Sequence, residues 1–256
     1  MNLQKHKVGS YEVCYRDAEL SGNHPPHTFY EFTGPEPIIE YKNFLSSAEL
    51  DFVYLEILKV FSHRRPALVH DYNTDTDKIS KSIGVHKDIR STDAFTPDKR
   101  VLELLEQKLE DVVFPMLKEY YNIRGAFKRV ERWNCLGYQV GDFFRVHCDS
   151  FIRSAIATNP KMKIEPGQFW YANNPHRKFT TLLYLNAYSS ADIAPPGQYT
   201  GGELHMPRIL KDGIPVQFKP EAGTLLGFPS NFIFMHEVKP ITSGYRFSTV
   251  TWTDVV

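Results

Sequence analysis

The stretch Gly244–Thr253, GYRFSTVTWT, decides the fold class. Aromatic and β-branched residues dominate it, and in an extended chain Arg246, Ser248, Val250 and Trp252 would share one face. A strand over 245–253 is therefore expected. The same period-two texture, broken by Gly and Pro turns, recurs at 129–140, 143–149, 179–187, 201–206, 215–218, 223–228 and 232–238. Short strands at this spacing predict a β-sandwich or jelly roll.

Ahead of residue 126 the period is helical. In PIIEYKNFLSSAELDFVYLEILKVF a short strand leads into a helix, where Ser46 and Glu49 have capping-box spacing and Leu50, Val53, Tyr54, Ile57 and Phe61 form one stripe. A second helix opens at Thr96-Pro97, buries Leu102, Leu105, Leu109, Val112 and Val113, and kinks or ends at Pro115. Residues 66–95 are polar and broken, and are expected to be loop. The first 36 residues, with the break GNHPPH, are expected to be an extended lead-in. The expected architecture is α+β, with lead-in 1–36, mainly helical support 37–125 and a jelly-roll core 126–256 in a single domain.

With 42% hydrophobic and 14% aromatic residues among 256, the chain can bury a sizeable core. Thirty basic residues balance thirty acidic ones. That argues against a broad nucleic-acid or anionic-membrane footprint. There is no apolar run of membrane-spanning length, and the start MNLQKHKVGSYEV lacks the apolar core of a signal peptide. Cys14, Cys135 and Cys148 form no disulfide or zinc spacing, so a reducing, cytoplasmic setting is expected.

FFRVHCDS, Phe143–Ser150, places two ionisable groups on an otherwise apolar strand. His147 and Asp149 would point one way, with Phe144, Val146 and Cys148 pointing the other. His-x-Asp alone is a weak signal, and His236 in FIFMHEV offers a third ligand. Two histidines and a carboxylate are the facial triad of non-haem iron(II) oxygenases. After His236, a turn over Pro240–Gly244 would bring Arg246 back near that strand. A five-carbon dicarboxylate could then chelate the metal at one end and meet the Arg246 fork at the other, with Ser248 adding a hydroxyl.

The segments YQVGDFFRVHCDS, TTLLYLNAY, GGELHMP, AGTLLGFPS and HEVKPITSGYRFSTVTW, with IIEYKNFLSSAEL upstream, resemble the iron(II)/2-oxoglutarate-dependent oxygenases, and among them the prolyl-4-hydroxylase-like group. The resemblance spans roughly 37–256. It implies a double-stranded β-helix (cupin-like) core with N-terminal supporting helices. It also implies Fe(II) on His147, Asp149 and His236, with 2-oxoglutarate on Arg246, Ser248 and Tyr138. O2 would be co-substrate, succinate and CO2 products. Because Asp149 is present, hydroxylation or a related C–H oxidation is expected rather than halogenation. The leading expectation is an amino-acid-like small-molecule substrate. The alternatives are a peptidyl or prolyl hydroxylase and a cupin-type metal protein that does not use 2-oxoglutarate. Trp252, Arg153 and Trp170 are candidate substrate contacts, and the long insert 150–179 is a candidate lid. Tyr184 and Asn186 are placed either in the cofactor pocket or in core hydrogen bonding.

Overall fold

The computed structural model describes residues 4–15, 36–73, 80–154, 170–174 and 176–256. The core strands are β1 (Asn134–Tyr138), β2 (Phe143–His147), β3 (Phe179–Tyr184), β4 (Leu204–Lys211), β5 (Leu225–Pro229), β6 (His236–Val238) and β7 (Arg246–Val255). They divide between two antiparallel sheets. In the larger sheet β5, β3, β7 and β1 are successive neighbours; in the smaller, β4, β6 and β2 are.

Strands from the N-terminal part complete both sheets, which corrects two expectations. The lead-in contains a hairpin, Gln4–Val8 with Tyr11–Tyr15, docked on β4. GNHPPH lies outside the described residues. The expected loop 66–95 contains Asp93–Phe95, paired with β1, and Arg90–Ser91, paired with β2. Such two- and three-residue strands carry no periodicity of their own. They exist because a sheet edge already formed elsewhere offers unpaired amides and carbonyls.

Alternation along each strand separates two cores. Leu136, Leu182, Leu226, Phe228 and Val250 of the larger sheet pack inward against Leu204, Met206, Phe234 and Val238. Their neighbours Cys135, Phe179, Leu183, Leu225 and Phe247 face outward, onto the helices. The helices are α1 (Ser47–Val60), α2 (Lys99–Lys108) and α3 (Phe114–Tyr120). Helix α1 starts with the expected capping box: Glu49 N–H donates to Ser46 Oγ at 3.3 Å, and Ser46 N–H to Glu49 Oε2 at 2.7 Å. Its apolar stripe buries Val53 and Ile57 against the sheet.

Other boundaries differ from expectation. Helix α2 is capped by Asp98, whose carboxylate accepts from Arg100 N–H, rather than by Thr96. Pro115 does not end the helical run. A π-helical turn, Leu109–Val113, lets Phe114 N–H reach Leu109 O, and Pro115 falls in the first turn of α3, where no N–H is needed. Pro240–Gly244 is not simply a turn: Ile241–Gly244 is a short strand paired with Tyr199–Gly201, and there the chain crosses from the smaller sheet to the larger. The insert after Asp149 starts as a ribbon, Phe151–Ser154 against Trp170–Asn173; 155–169, the bulk of the expected lid, lies outside the described residues. Among the described residues no helix is long and apolar enough to cross a membrane.

Helix α2 supports the larger sheet through fully buried side chains such as Leu105. Leu105→Ala is expected to lower unfolding free energy by about 2–5 kcal/mol, measured by urea denaturation, while metal affinity of the folded fraction stays at the wild-type value.

Candidate functional site

His147 at the end of β2 lies directly opposite His236 at the start of β6, with ring centroids 4.3 Å apart. In each ring Nδ1 faces a backbone carbonyl, Arg145 O at 2.8 Å and Phe234 O at 2.9 Å. A carbonyl only accepts, so Nδ1 carries the proton and the Nε2 lone pair is left free. Both Nε2 atoms converge on one carboxylate: His147 Nε2 is 3.8 Å from Asp149 Oδ1, and His236 Nε2 is 3.8 Å from Oδ2. Donor atoms of the three residues all lie within 4.8 Å of one another, so one metal ion could be held by them.

The local route to this geometry differs from simple alternation. Strand β2 ends at His147, leaving Asp149 on the following bend. The β2–β6 register shifts between Phe144 and His147. Phe144 and His147 thereby end on one side, their rings stacked 3.5 Å apart, whereas they were expected on opposite faces. Val146, expected in packing, is 43% exposed. Likewise Phe232–Phe234 is a 3-10 turn rather than the first half of a strand. Cys148 is buried, as expected.

Asp149 is held from the larger sheet. Thr180 Oγ1 donates to Asp149 Oδ2 at 2.7 Å and lies 2.8 Å from Ser230 Oγ. Burial alone would raise the Asp149 pKa, yet His236, His147, Arg177 and the Thr180 hydroxyl outweigh it and hold the carboxyl below its usual range. Burial, reinforced by His236, pushes the His147 imidazole well down, against the opposing pull of Asp149. A neutral imidazole and an ionised carboxylate are the forms a divalent metal requires.

Across the sandwich, Arg246 on β7 is 1% exposed. Its Cζ lies 5.0 Å from the Tyr138 ring and 4.9 Å from the Tyr184 ring, and Nη1 donates to Ser248 Oγ at 3.1 Å. Arg246 Nε and Nη2, and the Tyr184 and Tyr199 hydroxyls, are buried without a hydrogen-bond partner. Gly202 has φ +66°, and a Cβ there would clash with Ile241 Cδ1 and sit 3.1 Å from Arg246 Cδ, so glycine leaves the arginine stem its room. A buried guanidinium with unsatisfied donors is costly until an anion meets it, and a carboxylate matches its planar fork. The donor set and this cradle therefore fit a metal ion with a dicarboxylate.

A cavity of about 1430 Å³ joins the two groups. His147, Asp149, His236, Tyr138, Arg246, Ser248 and Trp252 all line it. Trp252 lies under Arg177, whose Cζ is 3.7 Å from the ring. Arg153 and Trp170 sit on the insert ribbon, and their side chains lie outside the described residues. Asn186 is structural, donating to Gly197 O and Tyr245 O and accepting from Phe247 N–H. The loop 189–200 is not part of the cavity lining, but Tyr199 at its end is buried beside Arg246. Thr180 was missed, although it shares the inner face of β3 with Leu182 and Tyr184, so alternation alone points to it. Tyr199 has no local signal; only the fold brings it to Arg246.

Comparison with known proteins gives a family model, described as 2OG-Fe(II) oxygenase superfamily, that matches residues 133–254. A PKHD-type hydroxylase from Colwellia psychrerythraea (strain 34H / ATCC BAA-681) is 35% identical over 74 residues; the match covers 29% of this chain and 31% of that protein. The chain thus spans about a third of the length of this curated relative. Among solved structures, a viral collagen prolyl hydroxylase from Paramecium Bursaria Chlorella virus-1, in its 2OG complex, superposes with TM-score 0.52 at 18% identity, covering 86% of this chain and 97% of that one. A prolyl hydroxylase from Trichoplax adhaerens, in complex with a hypoxia inducible factor oxygen degradation domain peptide fragment, gives TM-score 0.58 at 19% identity, covering 86% and 84%. At these identities the structural likeness establishes the jelly-roll fold.

Two variants test the metal-binding geometry. His236→Ala is expected to weaken Mn(II) or Fe(II) binding by at least about 100-fold, and Thr180→Val, which only releases Asp149, by about 10–100-fold. Anaerobic metal titration followed by calorimetry checks both; wild-type affinity in Thr180→Val would show that the hydroxyl does not orient the ligand.

Proposed function

We propose, from the match of residues 133–254 to the 2OG-Fe(II) oxygenase superfamily model, that the protein is an iron(II)- and 2-oxoglutarate-dependent dioxygenase that hydroxylates an amino-acid unit. The observation that carries this reading is the unsatisfied Arg246 guanidinium, buried in the cavity that also holds the His147–Asp149–His236 cluster. A cupin-type metal protein working without a dicarboxylate has no use for a buried cation there.

The roles follow from position. His147 and His236 would hold iron through Nε2 and Asp149 through its carboxylate. Arg246, with Ser248 beside it, would take the far carboxylate of 2-oxoglutarate, and Tyr138 would pack along the co-substrate. When bound, iron, 2-oxoglutarate and O2 supply oxidative decarboxylation to succinate and CO2, with one oxygen atom going to a substrate C–H bond. The chain's part is to orient these groups and exclude water. Phe144, Leu136, Leu182, Leu204, Val238 and Val250 provide apolar walls. Trp252 and the Arg177 stacked on it would form a substrate wall.

The expectation of a free, amino-acid-like molecule gains no support. A cavity of about 1430 Å³ exceeds the roughly 300–1,000 Å³ usual for small-molecule sites. The exposed apolar residues Leu68, Val85 and Val146 also line it. Both features suit a residue carried on a polypeptide, as does the likeness in fold to a prolyl hydroxylase with a bound peptide.

Anaerobic loading with Fe(II) and 2-oxoglutarate, then succinate release across peptide and amino-acid panels with mass spectrometry of the products, tests the assignment. Succinate is expected to rise with peptides, and a peptide product to gain one oxygen atom. Arg246→Gln is expected to weaken 2-oxoglutarate binding by about 30-fold or more, the scale of a lost charge-assisted pair. Unchanged affinity in that variant would sink the co-substrate assignment, and product formation from free amino acids alone would sink the polypeptide one.

A further inference from the structure

Besides Arg246 and Arg177, the cavity holds the guanidinium of Arg90, which has no role in the reading above. Arg90 comes from the short strand Arg90–Ser91, which pairs with β2 so that Arg90 is opposite Phe144. Its Cζ lies 4.6 Å from the centre of the Phe144 ring, and that ring is stacked on His147. The Tyr138 phenol lies against the Arg90 guanidinium, with Asp149 also nearby. Arg90 Nε is buried without a hydrogen-bond partner, and no carboxylate among the described residues forms an ion pair with it.

Tyr138 therefore connects two cations, the buried Arg246 and the half-buried Arg90. Its ring faces the Arg246 guanidinium at 5.0 Å, and its phenol meets Arg90. Arg246 belongs to the larger sheet, and Arg90 stands beside the metal-ligand cluster on the smaller one. Neither guanidinium is neutralised within the described residues by a carboxylate in contact with it. A ligand with two carboxylates would satisfy both, one at each end of Tyr138.

We propose that Arg90 is the second anchor of the co-substrate. Its guanidinium takes the carboxylate of the 2-oxo acid end, while Arg246 takes the far carboxylate. This rests on reading the cavity as a 2-oxoglutarate site. The competing role for Arg90 is purely structural, a distant offset to Asp149 and a packing partner of Phe144.

The two roles separate by binding measurements on the Mn(II)-loaded protein without O2, using three probes. One is 2-oxoglutarate. 4-Oxopentanoate keeps the far carboxylate but has a methyl group in place of the near one. 2-Oxopentanoate keeps the near carboxylate and lacks the far one. Arg90→Gln is expected to weaken 2-oxoglutarate and 2-oxopentanoate by about tenfold or more and to change 4-oxopentanoate by less than about twofold. Arg90→Lys, which keeps the charge and loses the fork, should recover part of the affinity. Arg246→Gln should show the mirror pattern, losing 4-oxopentanoate and sparing 2-oxopentanoate. Wild-type 2-oxoglutarate affinity in Arg90→Gln overturns the proposal and leaves the cation to the substrate. Equal loss of all three probes overturns it in favour of the structural role. If the wild-type protein binds none of the probes, the 2-oxoglutarate reading itself fails and this proposal with it.

Discussion

The structure is organised around polar and charged groups kept between two apolar sheets. Arg246, Asp149 and His236 are all nearly inaccessible to solvent. Ionised groups in such a place are tolerated when each is met by an opposite charge or a hydrogen bond. Asp149 has Thr180 and the two histidines; each histidine has a backbone carbonyl behind it. Arg246 has Ser248 and tyrosine faces but no anion. The compensation is thus complete for Asp149 and the two histidines and unfinished at Arg246. That asymmetry is why the site reads as prepared for a ligand rather than as a structural ion-pair network.

The two sheets divide the work. The smaller one sets His147 opposite His236 by strand pairing, so one register fixes both ligands. The larger one supplies Tyr138 opposite Arg246 and Tyr184 opposite Ser248, again by register. Asp149 belongs to the smaller sheet's chain but is bonded to Thr180 of the larger one, which ties the halves together at the metal-ligand cluster. The helices act further out. By burying the outer face of the larger sheet they hold β1, β3 and β7 in place, and those strands carry Tyr138, Tyr184 and Arg246.

What could be read in advance follows from the range of each interaction. Alternation along Arg246–Trp252 was legible because a strand's period needs no partner to express it, and Arg246, Ser248, Val250 and Trp252 all reach the cavity. The Ser46–Glu49 capping box was legible because it closes within one turn. The register shift in β2, the π-helical turn before Pro115 and the short strands at Arg90 and Asp93 were not. Each depends on a partner far along the chain, and nothing in the local pattern encodes that partner. The same limit hides Tyr199, whereas Thr180 shares the inner face of its strand with Leu182 and Tyr184 and is within reach of the alternation argument.

Sheet separation then constrains the ligand. Packed sheets stand roughly 10 Å apart, and side chains from both fill that gap. With the metal donors rooted in one sheet and Arg246 in the other, a bridging molecule must span what those side chains leave open. A single carboxylate held at Arg246 would leave the metal donors unengaged, and one held at the metal would leave Arg246 bare. A dicarboxylate with a chelating end answers both demands together. Changes that move one sheet against the other, such as filling the space Gly202 leaves for the Arg246 stem, should therefore act on the binding of a dicarboxylate without touching His147, Asp149 or His236.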